Sequence, residues 1–115
     1  SYTNIFQKTY DLVKWIYPTM NRFPKSQRFV LAQRIEKLSF ELLEDVVELM
    51  YSDNRSLRKR IVLNLHKLRI LLRMSKDLSF LSYPRYEYVS KLLYELRNLV
   101  DKEGMIKDET LQKFV

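Results

Sequence analysis

The segment Arg55–Lys76 has the sequence RSLRKRIVLNLHKLRILLRMSK and carries eight basic residues with no acidic residue. Its apolar residues recur every three or four positions, which is the repeat that places side chains on one face of an α-helix. This first stripe is the predicted core face of the helix, and it consists of Leu57, Ile61, Leu65, Leu68 and Leu72. A stripe of this kind is typical of a helix that packs in a bundle.

Other residues of the segment fall into two more sectors when the helix is viewed down its axis. At about 100° per residue, one sector is basic, and this basic sector contains Arg55, Arg58, Lys59, His66, Arg69, Arg73 and Lys76. The other is apolar, and this outer stripe contains Leu63, Ile70 and Met74. Because burial of unpaired charge is costly, we expect the basic sector to face water or an anion. The outer stripe needs a second partner, which is either another helix of this chain or a neighbouring subunit.

The net charge of +7 comes from this one segment, because residues 1–54 are neutral and residues 77–115 carry one more acidic than basic residue. The sequence pI is about 9.7, which makes polyanions the expected class of partner. Charged runs are also common on solvated helix faces, where their stems cover apolar surface. Such faces usually interleave acids with bases, so the segment favours contact with nucleic acid over a purely structural role.

The rest of the chain predicts three more helices. A length of 115 residues suits one domain, and a single glycine with three prolines favours a few long helices. The helices are expected at residues 4–22, 26–51, 55–80 and 84–103, in a domain covering 4–104 that is followed by a polar tail at 105–115. Short turns between them predict an all-α, antiparallel up-down four-helix bundle.

Capping residues set these expected ends. Asn4 and Ser26 are the predicted N-caps of the first two helices, Asp53 or Asn54 that of the third, and Gly104 is placed just after the fourth. Pro18 is expected to kink or end the first helix. Apolar spacing also predicts the inward-facing residues of the other three helices. In helix 1 they are Phe6, Tyr10, Val13, Ile16, Tyr17 and Met20, and in helix 2 they are Phe29, Ile35, Leu38, Leu42, Val46 and Leu49. In helix 4 they are Val89, Leu92, Leu93, Leu96, Leu99 and Val100.

The sequence offers little to catalysis. One glycine is too few for a glycine-rich phosphate loop, and the absence of cysteine removes thiolate chemistry. His66 is the only histidine, and a solvated or phosphate-adjacent imidazole is favoured over a catalytic or metal-binding one. We therefore expect no enzymatic activity, no cofactor and no metal site.

Two other groups of residues have a structural and a functional interpretation. An acidic face on helix 2, without the Glu-x-x-His motif of di-iron bundles, is expected to be solvated or paired with a neighbouring subunit; it comprises Glu41, Glu44, Asp45 and Glu48. Aromatic residues of helices 1 and 4 are expected to pack in the core or at a subunit interface rather than to stack on bases. They are Trp15, Tyr17, Tyr83, Tyr86, Tyr88 and Tyr94.

The expected location is the cytoplasm. The N-terminal residues lack the features of a signal peptide, no apolar run approaches the roughly 18 residues of a membrane span, and a chain without cysteine suits a reducing compartment. Binding to anionic lipid is disfavoured, because the basic sector lacks a neighbouring aromatic stripe that could insert into a membrane.

Several short motifs resemble one small bacterial family. They are Tyr17-Pro18, Phe23-Pro24-Lys25-Ser26-x-Arg28-Phe29, and a helix 3 run with Leu68-Arg69, Leu72-Arg73 and Asp77-Leu78. The chain is identified as a member of the group that includes the accessory variability protein (Avd) of diversity-generating retroelements and the proteins encoded in intervening sequences of bacterial 23S rRNA genes. The resemblance extends from about Phe6 to Gly104.

This resemblance implies a ring-like homopentamer of four-helix bundles that binds a reverse transcriptase and nucleic acid, either template RNA or RNA–DNA, during mutagenic cDNA synthesis. Arg69 and Arg73 stand at its matching basic positions. The mixed charge of the tail differs from the basic tail of some members. The alternative function is an interaction scaffold of the intervening-sequence type, whose basic sector binds an acidic protein without touching nucleic acid.

Overall fold

Four α-helices form the computed structural model, which describes residues 1–102, 104 and 106. They are α1 (Tyr2–Met20), α2 (Gln33–Tyr51), α3 (Arg55–Asp77) and α4 (Tyr83–Val100), and the described residues contain no β-strand. Each helix packs on the next, and α1 also packs on α4. The predicted tail at 105–115 lies outside the described residues except for Ile106.

Contacts between distant residues show that neighbouring helices run antiparallel. Lys8 at the start of α1 pairs with Glu95 near the end of α4, with 2.9 Å between Nζ and Oε2. Arg60 at the start of α3 pairs with Asp45 near the end of α2 at 3.0 Å. The helices therefore form an up-down bundle, as the short turns predicted.

The first stripe of α3 is confirmed as core. All five of its leucine and isoleucine side chains are at most 2% exposed. Val62, His66 and Ser75 are buried as well, so the buried face of α3 is wider than a single stripe. Burial of this kind supplies most of the stability of a helical bundle.

Three residues that were predicted to face the core do not. Tyr10, Tyr17 and Phe29 are 44%, 56% and 83% exposed. Phe29 precedes Ile35 by six residues, a rotation of about 240°, so the two cannot share a stripe; Leu31 takes the buried position instead. In α1 the core face is centred on Ile5, Leu12 and Ile16, and Tyr10 and Tyr17 lie about 140° and 120° from it.

Several helix ends also differ from the prediction. Ser1, not Asn4, caps α1, because its Oγ accepts a hydrogen bond from the Asn4 backbone N–H at 3.4 Å. Helix α1 continues through Pro18 for two more residues. Helix α2 does not begin at Ser26. A 3₁₀ turn (Lys25–Gln27) and a π-helical turn (Arg28–Ala32) come first.

The ends of α3 and α4 are set by turns that the sequence pattern missed. Helix α3 ends at Asp77 rather than Phe80, because Ser79 adopts a left-handed backbone with φ 65°. The Phe80 N–H then donates to the Ser75 carbonyl at 2.8 Å, which is the closing bond of a Schellman motif. Helix α4 ends at Val100 with Asp101 as its C-cap, so Gly104, with φ 64°, lies beyond the end of the helix and is not its C′ residue as predicted.

Candidate nucleic-acid interface

The basic sector of α3 does not remain one continuous exposed surface. Arg55, Lys59 and Arg73 are exposed, whereas Arg58, Arg69 and Lys76 are partly buried. His66 is only 6% exposed, so the prediction of a solvated imidazole is wrong. The reason is that α4 packs against this side of α3 and covers His66 together with its neighbours Val62 and Leu65.

Arg58 is held in a network at one end of the bundle. Its guanidinium donates to both carboxylate oxygens of Asp53, at 2.8 and 2.7 Å, and to the backbone carbonyl of Val100. The Tyr2 hydroxyl donates to the same Asp53 carboxylate. Hydrogen bonds from Arg58 and then from Tyr2 lower the pKa of Asp53 from 3.8 to about 2. The charge of Arg58 is therefore matched within the chain and serves structure.

This network predicts an acid-dependent contribution to stability. The folded-state pKa of Asp53 lies below its unfolded value of about 3.9, so the contribution is complete above about pH 4 and is lost as pH falls towards 2. We expect Asp53→Asn to lower the free energy of unfolding at neutral pH by about 1 kcal/mol or less, since the pair is partly exposed. Urea unfolding at several pH values measures this loss, which should disappear near pH 2.

The control for Asp53→Asn is Glu87→Gln. Glu87 is exposed on α4, and no ion pair is found for it in the described part of the chain. Its replacement should change the free energy of unfolding by less than about 0.5 kcal/mol. A loss for Asp53→Asn that is equally large at neutral pH and near pH 2 would contradict the linkage.

Other carboxylates reduce the basic excess of α3 further. Arg60 pairs with Asp45 and also with Glu48, at 3.5 Å. Asp45 is thus paired within the chain with its side chain only 16% exposed, so the prediction that it is solvated or reaches another subunit is wrong. Glu48 keeps a side chain that is 58% exposed, as the prediction of a solvated acidic face requires. Near the other end of α3, Lys76 and Arg73 share Asp77 at 3.1 and 3.9 Å.

Lys59 and Lys67 keep their charges exposed. No ion pair is found for either residue within residues 1–102, 104 and 106, and both belong to the solvent-facing side of α3. In the helical projection the outer stripe lies between them. The exposed side of α3 is therefore an apolar strip with basic residues on both flanks.

The outer stripe borders a groove between α2 and α3 through one of its three residues, Ile70. Leu63 and Met74 are 41% and 51% exposed. Ile70 lines the groove, whose volume is about 1010 Å³. Phe29 and Phe40 line its other wall, and both rings are exposed. Apolar surface of this extent is typical of an interaction site.

A second cavity lies on another side of α3, and we call it the α3–α4 cleft. Its volume is about 450 Å³, and it is lined by His66 and Arg69 of α3 and by Tyr94, Arg97 and Asn98 of α4. Arg69 Nε is buried without a hydrogen-bond partner. A buried donor in this state costs about 1–3 kcal/mol, and such sites need an explanation.

Two of the α4 residues of this cleft, Arg97 and Asn98, were not singled out from the sequence, and Tyr94 was assigned to packing. Tyr94 and Asn98 are four residues apart, and Arg97 follows Leu93 at the same spacing, so each pair lies on one helix face. That spacing was visible in the sequence, but the sequence did not show which face of α4 would meet α3.

The tyrosines of α4 also differ from expectation. Tyr83, Tyr88 and Tyr94 are 63%, 52% and 59% exposed, so none of the three packs in the core, and packing at a subunit interface stays a prediction for them. Tyr88 contacts Trp15, with ring centroids 5.7 Å apart. The half-buried Tyr86 ring lies beneath the Lys76 ammonium at 4.8 Å, and this contact gives Lys76 a second structural role.

The fold and these surfaces define the class of protein: an all-α, four-helix chain with a partly paired basic helix beside an apolar groove. The chain belongs to the bAvd-like family, whose model matches residues 4–107. This confirms the resemblance to Avd proteins found in the sequence. No curated protein and no solved structure matches the chain significantly. None of the helices in the described residues has the length and apolarity that a membrane span requires.

Proposed function

We propose that this chain is a non-catalytic accessory protein that binds nucleic acid and a reverse transcriptase in a diversity-generating retroelement, in the cytoplasm. Membership of the bAvd-like family supports this role. The observation that carries the nucleic-acid part is the exposed side of α3, where Lys59 and Lys67 have no carboxylate partner among the described residues. Exposed cations of this kind bind phosphate and release counterions.

The proposal includes a homo-oligomer, a ring of five subunits by resemblance to the Avd group. The outer stripe and the α2–α3 groove supply apolar surface for a neighbouring subunit. Since basic residues flank that strip, a closed ring would repeat them around its circumference and concentrate the positive potential. The lone histidine is buried and the chain has a single glycine, which supports a role without catalysis.

Binding of a fluorescent RNA hairpin across a salt series tests the nucleic-acid role. We expect the logarithm of affinity to fall linearly with the logarithm of salt concentration, by about 0.9 for each phosphate contact. Lys59→Ala with Lys67→Ala should weaken binding on all sequences alike and reduce the slope by about two.

A matched control distinguishes RNA binding at this surface of α3 from a general effect of positive charge on the protein. Arg22→Ala with Lys25→Ala removes the same charge from exposed residues that lie between α1 and α2, and it should alter the slope by less than about one. Equal effects of the two pairs would contradict the assignment to α3. Failure of the unmodified protein to bind RNA, with nuclease-resistant capture of an acidic protein, would instead support the scaffold function.

A further inference from the structure

We propose that the α3–α4 cleft binds one nucleotide of an unpaired strand, an inference that rests on the proposed function. Arg69 and Arg97 contact its phosphate, and the Tyr94 ring stacks on its base. The volume of about 450 Å³ is within the roughly 300–1,000 Å³ range of small-ligand sites. The cleft lies about 110° around α3 from the outer stripe, and no residue of the outer stripe lines it.

The charges in the cleft match a single phosphodiester. Arg97 Nη1 lies 3.3 Å from Asp101 Oδ2, so that pair is close to neutral. Arg69 has no ion pair among the described residues, and its Nε is buried without an acceptor. The surplus is one positive charge, which equals the charge that one phosphodiester neutralises. A phosphate oxygen would also provide the acceptor that the Arg69 guanidinium lacks.

The rim of the cleft suits an unpaired base. Tyr94 is 59% exposed, and no aromatic contact is found for its ring in the part of the chain that the structure describes. Asn98 beside it offers an amide with both donors and an acceptor. Stacking on a side chain requires a base that has left its duplex neighbours, so the cleft selects single-stranded over double-stranded nucleic acid.

Binding of two probes tests this assignment: a short fluorescent oligouridylate and a fluorescent RNA duplex. We expect Tyr94→Ala to weaken oligouridylate binding at least about fivefold and duplex binding less than about twofold. Tyr94→Phe should retain the affinity because it keeps the ring. Tyr83→Ala is the matched control, because Tyr83 is an equally exposed tyrosine of α4 outside the cleft.

Variants of Arg69 test the phosphate contact. Arg69→Ala should weaken oligouridylate binding at least about tenfold, whereas Arg69→Lys, which keeps the charge but loses the guanidinium, should recover only part of it. Photocrosslinking of the unmodified protein to an oligouridylate that carries 5-bromouridine gives a readout independent of variant folding. The crosslinked peptide should contain Tyr94.

The outcomes separate the two proposals. Loss of oligouridylate binding confined to Tyr94→Ala and the Arg69 variants, with the crosslink at Tyr94, supports the cleft. If the protein binds both probes but Tyr94→Ala behaves like Tyr83→Ala, or the crosslink maps elsewhere, the cleft assignment is overturned and the proposed function stands. If the unmodified protein binds neither probe, the nucleic-acid part of the proposed function is refuted, and the cleft assignment that rests on it falls as well.

Discussion

Leu72→Ala is expected to lower the free energy of unfolding by about 2–5 kcal/mol. Leu72 lies in the first stripe of α3 and has no exposed surface. Alanine removes buried methylene and methyl groups, and the close-packed neighbours cannot fully fill the space that they leave. Urea unfolding at a fixed protein concentration measures the change.

Leu78→Ala is the control for this experiment. Leu78 follows α3 and is 52% exposed, so the same substitution there should cost about 1 kcal/mol or less. Similar losses at the two positions would show that Leu72 is not a core residue and that the predicted face of α3 is wrongly oriented.

Met74→Glu is expected to convert the proposed oligomer into a monomer of 14.1 kDa. Met74 belongs to the outer stripe and is 51% exposed, so a carboxylate there is solvated in a single subunit. In an assembly it would be buried without a partner, at a cost of several kcal/mol, and symmetry repeats that cost at every interface. Light scattering during size-exclusion chromatography measures the mass.

Leu78→Glu is matched to Met74→Glu in exposure and charge change, and Leu78 lies just after the end of α3, outside the outer stripe. Its mass should equal that of the unmodified protein, which should be a multiple of the subunit mass. An unmodified protein that is already monomeric at micromolar concentration would refute the oligomer, while an oligomer that survives Met74→Glu would move the interface away from the outer stripe.

The core of α3 could be predicted because its burial follows a regular spacing. Leu57 to Leu72 repeat at three- and four-residue intervals, and one face of a helix in a bundle must meet its neighbours. The antiparallel order of the helices followed from the short turns between them. These features depend on local sequence, and the structure reproduces them.

The electrostatics of the site could not be predicted in the same way. A count of charges along the chain isolates Arg55–Lys76, but Arg60 finds its carboxylates on α2, and Arg58 finds the carbonyl of Val100 42 residues away. His66 became buried because of which side of α3 the last helix covers. Pairing across helices depends on their rotation about their axes, which a single sequence does not specify.

Breaks in regular geometry were missed for a related reason. The π-helical turn at Arg28–Ala32 and the left-handed Ser79 have no strong residue signature, since neither contains glycine. Both occur where chain segments between helices must fit the spacing of the bundle. Such local distortions follow from tertiary packing rather than from intrinsic preference.

Different interactions stabilise the two ends, or poles, of the bundle. At one pole, the network Tyr2–Asp53–Arg58–Val100 joins the start of α1, the turn before α3 and the end of α4 through one ion pair and hydrogen bonds to its two charged groups. At the other, Phe23 and Phe80 meet with ring centroids 5.9 Å apart. Acid and concentrated salt therefore loosen the first pole selectively, whereas cooling weakens the second, so fraying starts at opposite ends under the two conditions.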